Sequence, residues 1–169
     1  MTVQLIVSIV GSDKMGLMKQ LTTQTAELGG SWITNKVTHL DGKVAGLLKL
    51  EIDSEKLPAF KEMMSRFTEL TVDYHDAIDS ASVKKKLVRL VIEAEDRSGL
   101  TSEITHLLYD LDVAIDHLDT HRYPVIGLNT GVFEAHLTLE LPEGLGVEGL
   151  KNEIEKLGTQ TRVFIDKSE

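Results

Sequence analysis

The pattern of apolar and polar positions predicts the same succession of elements in both halves of the chain. Apolar runs bounded by turn residues predict strands, and apolar residues at helical spacing predict helices. In the first half the predicted strands lie at 3–10, 32–40, 43–52 and 70–74. In the second half they lie at 87–94, 113–122, 132–141 and 162–165. A helix is predicted after the first and after the third strand of each half, which gives the order βαββαβ twice.

Local signals refine the first of these units. Val3 to Val10 is nearly all apolar, which predicts a strand buried on both faces or nearly so. Ser12 or Asp13 is predicted to cap the next helix, because a short polar side chain there accepts hydrogen bonds from the first free amides. Asp41-Gly42 stands between two strand-like runs and predicts a tight hairpin.

A repeated motif fixes the domain organisation. Asp13-Lys14-Met15-Gly16-Leu17 aligns with Asp96-Arg97-Ser98-Gly99-Leu100, each between an apolar run and a helical pattern. We therefore predict an α+β protein with two ferredoxin-like βαββαβ units in tandem, each an antiparallel sheet with both helices on one face. The predicted domains are 1–78 and 87–169, with a linker at 79–86. Units of this size have small cores, so we expect them to pack together or the chain to form a homodimer.

Each repeated motif is a strand that stops at a turn opening directly into a helix. Such a turn exposes helix N-terminal amides, which favour small anions such as carboxylates. Gly16 and Gly99 are predicted to let strand and helix pack closely, which leaves the same backbone open to a ligand. Asp13 and Asp96 either cap the helices or contact the amine of a ligand.

The two halves differ at the hairpin between their second and third strands. Where the first half turns with Asp41-Gly42, the second inserts residues 123–131. The insertion carries more apolar side chains than a solvated connection needs, which predicts a loop that covers a ligand or meets a partner. The alternative is that these side chains pack on their own sheet. The residues concerned are Tyr123, Val125, Ile126, Leu128 and Asn129.

Composition narrows the class of protein. The 169 residues carry a formal net charge of −9, which argues against direct binding to nucleic acid. No apolar stretch is long enough to cross a membrane, and Met1 leads into a strand pattern without a signal-peptide layout. The chain has no cysteine, which suits the cytoplasm, and we expect a cytoplasmic protein.

Motifs for catalysis or cofactor binding are missing from the sequence. It contains no G-x-S-x-G, no H-E-x-x-H, no cysteine nucleophile and no phosphate-binding P-loop, so we predict that the chain is not an enzyme and needs no cofactor. His117, Asp119 and His121 share one strand face and form a possible metal-ligand set. Alternating polar residues on a strand more often mark a solvated face, so no metal site is predicted.

With its two D-x-x-G-L turns placed between a first strand and a first helix, the chain resembles tandem ACT domains. More narrowly, it is similar to the glycine cleavage system transcriptional repressor group, whose members are little more than two such domains. The resemblance covers essentially the whole chain. The segments that carry it are 7–17, 27–33, 94–100 and the long hairpin loop of the second half.

The resemblance implies amino-acid binding at interfaces between modules, through the first turn and the start of the second strand. By position, the implied residues are Asp13, Met15, Gly16, Leu17 and Ser31 in the first unit, and Asp96, Ser98, Gly99, Leu100 and Ala114 in the second. Met15 and Ser98 stand where the family usually has proline, and Ala114 stands where it often has a polar side chain. The first unit therefore has the better second-strand anchor.

The function implied by the resemblance is a sensor of a small amino acid, such as glycine or serine. It would act on a protein partner, a transcriptional activator of glycine-cleavage genes. One alternative is a stand-alone ACT regulator of a metabolic enzyme. Another is a small acylphosphatase-like enzyme, but the segment from Gly11 to Leu17 lacks the arginine that such an enzyme needs.

Overall fold

The computed structural model describes residues 1–77, 86–126 and 130–166. The chain divides into two units, Met1–Ser80 and Ala81–Glu169, and each has a hydrophobic core of its own. Of the linker predicted at 79–86, only Lys86 belongs to the described residues, so its extent stays a prediction. No helix in the described part of the chain is long and apolar enough to span a membrane.

The first unit is a four-stranded antiparallel sheet with two helices. Its strands lie in the order β2-β3-β1-β4, with β1 and β3 in the centre. The elements along the chain are β1 (Thr2–Ser12), α1 (Leu17–Glu27), β2 (Ser31–Leu40), β3 (Lys43–Asp53), α2 (Leu57–Ser65) and β4 (Leu70–Asp76).

The second unit repeats this topology, with the strand order β6-β7-β5-β8. Its elements are β5 (Leu87–Glu95), α3 (Leu100–Asp110), β6 (Ala114–Pro124), β7 (Gly131–Glu140), α4 (Val147–Glu155) and β8 (Arg162–Asp166). The predicted fold class, two βαββαβ units in tandem, is confirmed.

Burial alternates along the central strands because the helices cover one face of each sheet. On β1, Val7 and Ile9 are fully buried, whereas Val10 is 56% exposed. The prediction that this strand is buried on both faces is therefore wrong. Its apolar run does not mark a two-sided core, because Ile6 and Val10 lie on the opposite face, where Ile6 is only half-buried and Val10 is exposed.

The hairpin between β2 and β3 takes its predicted form. Asp41 and Gly42 both have positive φ values, 45° and 73°, and they join β2 to β3 directly. Positive φ at both central residues is the geometry of the tight hairpin that Asp-Gly favours. Pro58 lies in the first turn of α2, where its missing amide hydrogen costs no helical hydrogen bond.

The insertion in the second unit is shorter than the sequence predicts. Tyr123 pairs with Val132 and Pro124 pairs with Gly131, so the hairpin ladder continues through both pairs. The connection between the strands is thus reduced to residues 125–130, of which Gly127, Leu128 and Asn129 lie outside the described residues. Pro124 is accommodated because β6 is an edge strand. The outer side of an edge strand has no neighbouring strand and needs no amide donor.

Adjacent leucines on β3 provide a test of one-sided burial. Leu48 is 1% exposed and Leu47 is 54% exposed, because successive side chains of a strand point to opposite faces. We predict that Leu48→Ala lowers the free energy of unfolding of the first unit by about 2–5 kcal/mol. Leu47→Ala should change it by less than about 1 kcal/mol.

The measurement is urea denaturation followed by the fluorescence of Trp32. This residue is the single tryptophan of the chain, and it packs against the core of the first unit. Its ring lies edge-on to Phe60 at a centroid distance of 5.9 Å, so its emission reports whether that core is intact. Equal losses of stability in the two variants would contradict one-sided burial.

Candidate functional sites at the two strand–helix turns

One glycine in each unit sets where the first helix begins. Gly16 and Gly99 occupy the N-cap positions of α1 and α3, with φ values of 83° and 84°. A Cβ atom is strained in this left-handed region, so the backbone itself requires glycine at both turns. The next residues, Leu17 and Leu100, bury their side chains in the core and contribute only backbone to the turn.

The two glycines are not there for close packing. A Cβ atom added at Gly16 would meet no atom within 4 Å, and at Gly99 the nearest is Oε1 of Glu103 at 3.8 Å. The prediction that these glycines let strand and helix approach closely is therefore wrong. The space in front of both turns is open as far as the described residues are concerned.

No side chain caps either helix. The predicted caps, Ser12, Asp13 and Asp96, are wrong because the left-handed glycines hold the N-cap positions and carry no side chain. The backbone amide of Asp13 instead donates to the carbonyl of Gly42, at 2.9 Å. Among the described residues, no side chain accepts a hydrogen bond from the first-turn amides of α1 and α3, and such amides attract small anions.

The surroundings of the first turn are polar and exposed. The Asp13 carboxylate lies 3.8 Å from Nε2 of His39, and Nζ of Lys14 lies 3.3 Å from the Glu69 carboxylate. Hydrogen bonds from its own backbone amide and from Lys14 hold the pKa of Glu69 below the ordinary value. The side chain of Met15 is fully exposed and contacts none of this network.

The second turn holds its aspartate more tightly. The amide of Asp96 donates to the carbonyl of Gly131 at 2.8 Å, which ties the end of β5 to the start of β7. Its Oδ1 atom lies 3.5 Å from Nε of Arg122. That contact is an ion pair and not a hydrogen bond, and Oδ1 is buried without a hydrogen-bond partner among the described residues.

Arg97 links the second turn to α3 and to the segment that follows α4. Its guanidinium donates two hydrogen bonds of 2.5 Å to the carboxylate of Glu103 and a third, of 3.1 Å, to the carbonyl of Leu157. The same pairing raises the pKa of Arg97 and lowers that of Glu103. Lys14 holds the equivalent place in the first unit, but it reaches Glu69 instead.

The predicted second-strand residues do not meet the turns of their own units. Ser31 pairs with Glu51, which pairs with Gln4 near the start of β1. The turn follows Ser12, eight residues further along β1, roughly 26 Å away at 3.3 Å per residue. In the second unit Ala114 is equally distant from Asp96, because it pairs with Glu140 beside the start of β5.

Two residues near the turns were missed by the sequence analysis. His39 and Arg122 approach Asp13 and Asp96 because the third strand of each unit pairs with both the second and the first strand, which brings the ends of those two strands level. The Asp41-Gly42 signal contained this information, since a tight turn fixes the register of both strands. The prediction used only the start of the second strand.

His117, Asp119 and His121 share one face of β6, as predicted. Nε2 of His121 lies 3.3 Å from the Asp119 carboxylate, and across the ladder His136 contacts Glu134 at 2.8 Å. Within residues 1–77, 86–126 and 130–166, no three His, Asp or Glu side chains are arranged to hold a metal ion.

The described residues of the insertion predicted at 123–131 have separate environments. Tyr123 stacks on His121 of its own strand with ring centroids 6.1 Å apart, and Ile126 is fully exposed. Val125 is partly buried and lines a cavity of about 290 Å³ at the end of β5. In the first unit, a cavity of about 600 Å³ lies between α1 and α2 and involves none of the predicted ligand residues.

Fold and turns together define a tandem of small α+β modules, each with a glycine-started helix after its first strand. Residues 3–75 match the model of the ACT domain. The match covers most of the first unit, and because the second unit repeats the topology of the first, the chain has a tandem ACT-like fold. A search of curated proteins gave no match to the sequence.

Two crystal structures are similar along the whole chain. An unknown protein from Galdieria sulphuraria is 17% identical, with 100% of both chains covered and a TM-score of 0.82. A protein proposed to be a glycine cleavage system transcriptional repressor is 15% identical, with 99% of both chains covered and a TM-score of 0.71. At these identities the similarity shows the fold alone.

The Arg97–Glu103 pair should make stability depend on pH. Its partner lowers the pKa of Glu103 below the usual 4.5, so the stabilisation is complete above that value and is lost as pH falls through the lowered folded-state pKa. We predict that Glu103→Gln is less stable than the parent at neutral pH and that the difference disappears in acid.

The measurement is denaturation followed by circular dichroism from neutral pH to well below 4.5. Glu148→Gln is the matched control, because Glu148 lies in the first turn of α4 and forms no ion pair with another described residue. A stability gap for Glu103→Gln that persists unchanged in acid would contradict the prediction.

Proposed function

We propose that this protein is a non-enzymatic regulator that binds a small amino acid at its strand–helix turns and acts on a protein partner. The observation that carries the proposal is the Asp96 carboxylate, whose Oδ1 is buried without a hydrogen-bond partner among the described residues. A buried polar atom of this kind is costly unless another group satisfies it. The ammonium group of an amino acid supplies three donors.

The same turn offers a partner for the other end of the ligand. The first-turn amides after Gly99 have no side-chain cap, and the helix dipole adds partial positive charge there. A zwitterion can thus place its carboxylate at the helix start and its ammonium group at Asp96. Open space in front of Gly99 supports this arrangement.

The first turn also has an aspartate before a helix that starts at a glycine, but its aspartate is more exposed to solvent. The Asp13 side chain is 41% exposed, compared with 26% for Asp96. Electrostatic attraction weakens as solvent access increases, so we expect the second turn to bind more tightly than the first. Ser31 and Ala114 are not part of this proposal, because each lies at the far end of its own sheet.

Ligand size sets an upper limit on affinity. Glycine has about five non-hydrogen atoms, and a ceiling near 1.5 kcal/mol per atom gives at most roughly 7.5 kcal/mol. That corresponds to a dissociation constant of about micromolar at best. Binding in this range suits a protein that senses an abundant metabolite.

The proposed partner is a protein, specifically a transcriptional activator of glycine-cleavage genes. Support comes from the family resemblance and from the fold shared with the proposed glycine cleavage repressor. The net charge of −9 disfavours direct binding to DNA and favours control through another protein. The ligand would act by stabilising one of two conformations that differ in affinity for that partner. A cytoplasmic location fits this role and the lack of cysteine.

We predict that a small amino acid raises the melting temperature of the full chain at millimolar concentration. Asp96→Asn should weaken binding at least about tenfold, because it removes the charge that faces the ammonium group. Asp110→Asn, a change of the same chemistry at the end of α3, should leave binding unchanged. The measurements are a thermal-shift panel of the common amino acids and titration calorimetry on those that shift the melting temperature.

A panel in which no amino acid changes the melting temperature or gives a binding heat would overturn the proposal. Equal affinity of the parent and Asp96→Asn would remove the second turn as the binding site.

A further inference from the structure

The two helices of the first unit have a groove between them. The cavity in this groove has a volume of about 600 Å³, a size typical of binding sites. Its floor is apolar, because Met63 and Phe67 line it and are each only 7% exposed. Its walls are polar and are formed by Gln20, Gln24, Glu27, Glu62, Arg66 and Glu69. We call this feature the interhelical groove.

The wall that α1 contributes has unused polar groups. Gln20, Gln24 and Glu27 follow one another at helical spacing, so their side chains lie on the same side of the helix. None of these three side chains forms a hydrogen bond or an ion pair with another described residue. Two amides and one carboxylate are therefore available to a group from outside the chain.

The opposite wall adds charge that is only weakly engaged. The Glu62 carboxylate lies 3.0 Å from the guanidinium of Arg66, and Nζ of Lys14 lies 3.3 Å from the Glu69 carboxylate. Ion pairs at an exposed surface contribute little stability, so an incoming cation can compete for both carboxylates. Together with Glu27, the groove presents three carboxylates and one guanidinium, and its net charge is negative.

The second unit provides an internal comparison. When the first helices are aligned at their N-cap glycines, the places of Gln20 and Gln24 are held by Glu103 and Leu107. The Glu103 carboxylate is held by Arg97, and Leu107 packs against the core of its unit. The fold therefore does not require an unpaired polar wall on this helix, and the wall in the first unit is a property of that unit alone.

We propose that the interhelical groove binds a basic segment of a protein partner, with an arginine or lysine side chain inserted between α1 and α2. The aliphatic part of such a side chain packs on the apolar floor while its cationic end stays at the polar rim. A guanidinium has five N–H donors and no acceptor, which suits a wall of carboxylate and amide oxygens. Charge complementarity thus determines the kind of partner.

The form of the groove favours a protein segment over a free small cation. Glu62 and Arg66 at the rim are 70% and 72% exposed, so water screens their interaction with an ion that leaves the rim open. A protein segment covers the rim and excludes that water. The helices have 11 and 9 residues, so the groove extends for roughly 13–16 Å and accommodates several residues of a partner.

The inference rests on the proposed function for the existence of a protein partner, and it adds the surface through which that partner is bound. Neither Asp13 nor Gly16 of the first turn lines the groove. The turn is linked to it only through the ion pair of Lys14 with Glu69. Binding of a peptide in the groove can therefore be measured without any amino-acid ligand.

The test is fluorescence anisotropy of the full chain with a labelled helical peptide of arginine, alanine and leucine. The reference is the same peptide with every arginine replaced by glutamine. We expect the arginine peptide to bind at least about tenfold more tightly, because only its charges complement the groove. Equal affinity for the two peptides would overturn the inference. So would displacement of the labelled peptide by spermidine or arginine amide as effectively as by unlabelled peptide, because a free cation would then be the occupant.

Variants locate the binding. Glu27→Gln should weaken peptide binding about threefold or more, the scale of one exposed ion pair. Asp110→Asn is the matched control, because Asp110 ends α3 as Glu27 ends α1, and it should leave binding unchanged. Gln24→Arg gives the groove a cation of its own and should weaken binding further. Circular dichroism verifies that each variant is folded. Equal losses in Glu27→Gln and Asp110→Asn would show a general attraction to the acidic chain and overturn the inference.

The outcome separates this inference from the proposed function. Absence of peptide binding overturns the groove as a docking surface and leaves the amino-acid response of the second turn to its own test. Peptide binding in a chain that responds to no amino acid would overturn the proposed ligand and support the groove.

Discussion

The packing of two helices against one face of a four-stranded sheet is the constraint on which the rest of each unit depends. It buries alternate side chains of the central strands, such as Val7 and Ile9 on β1, and leaves the intervening ones on an open face. Burial of apolar surface on that one side supplies the main favourable term in folding. The open face is consequently free to carry charged side chains, as β5 and β8 do with Glu93 and Arg162.

The packing of helices on one face of the sheet also determines the form of the turn between the first strand and the first helix. The chain must reverse from the sheet to the helical layer within a few residues, and a left-handed glycine makes that reversal in both units. Because glycine brings no side chain, the N-cap residue of each helix cannot cap its first turn. The aspartates before the two turns have different neighbouring side chains, since Asp13 is near His39 and Asp96 is near Arg122.

The elements themselves could be predicted from the sequence, because their signals are local. The Asp41-Gly42 hairpin, the proline at the start of α2 and the duplicated turn motif each depend on residues that are adjacent in the chain. The predictions that failed concern the tertiary surroundings of a residue, that is, which elements or groups lie next to its side chain. An apolar run does not tell whether the second face of a sheet is covered, and a polar residue before a helix caps it only if it holds the N-cap position.

The sequence by itself determined the order βαββαβ, its duplication and the placing of glycines where the backbone turns left-handed. These follow from hydrophobic periodicity and steric limits that act within a few residues. Only the tertiary structure decided that Asp96 meets Arg122, that Ser31 lies far from Asp13, and that β8 stops short of the end of β5. Each of these depends on the register between strands distant in sequence. That register is set by the packing of the whole sheet against its helices, and a local pattern does not contain it.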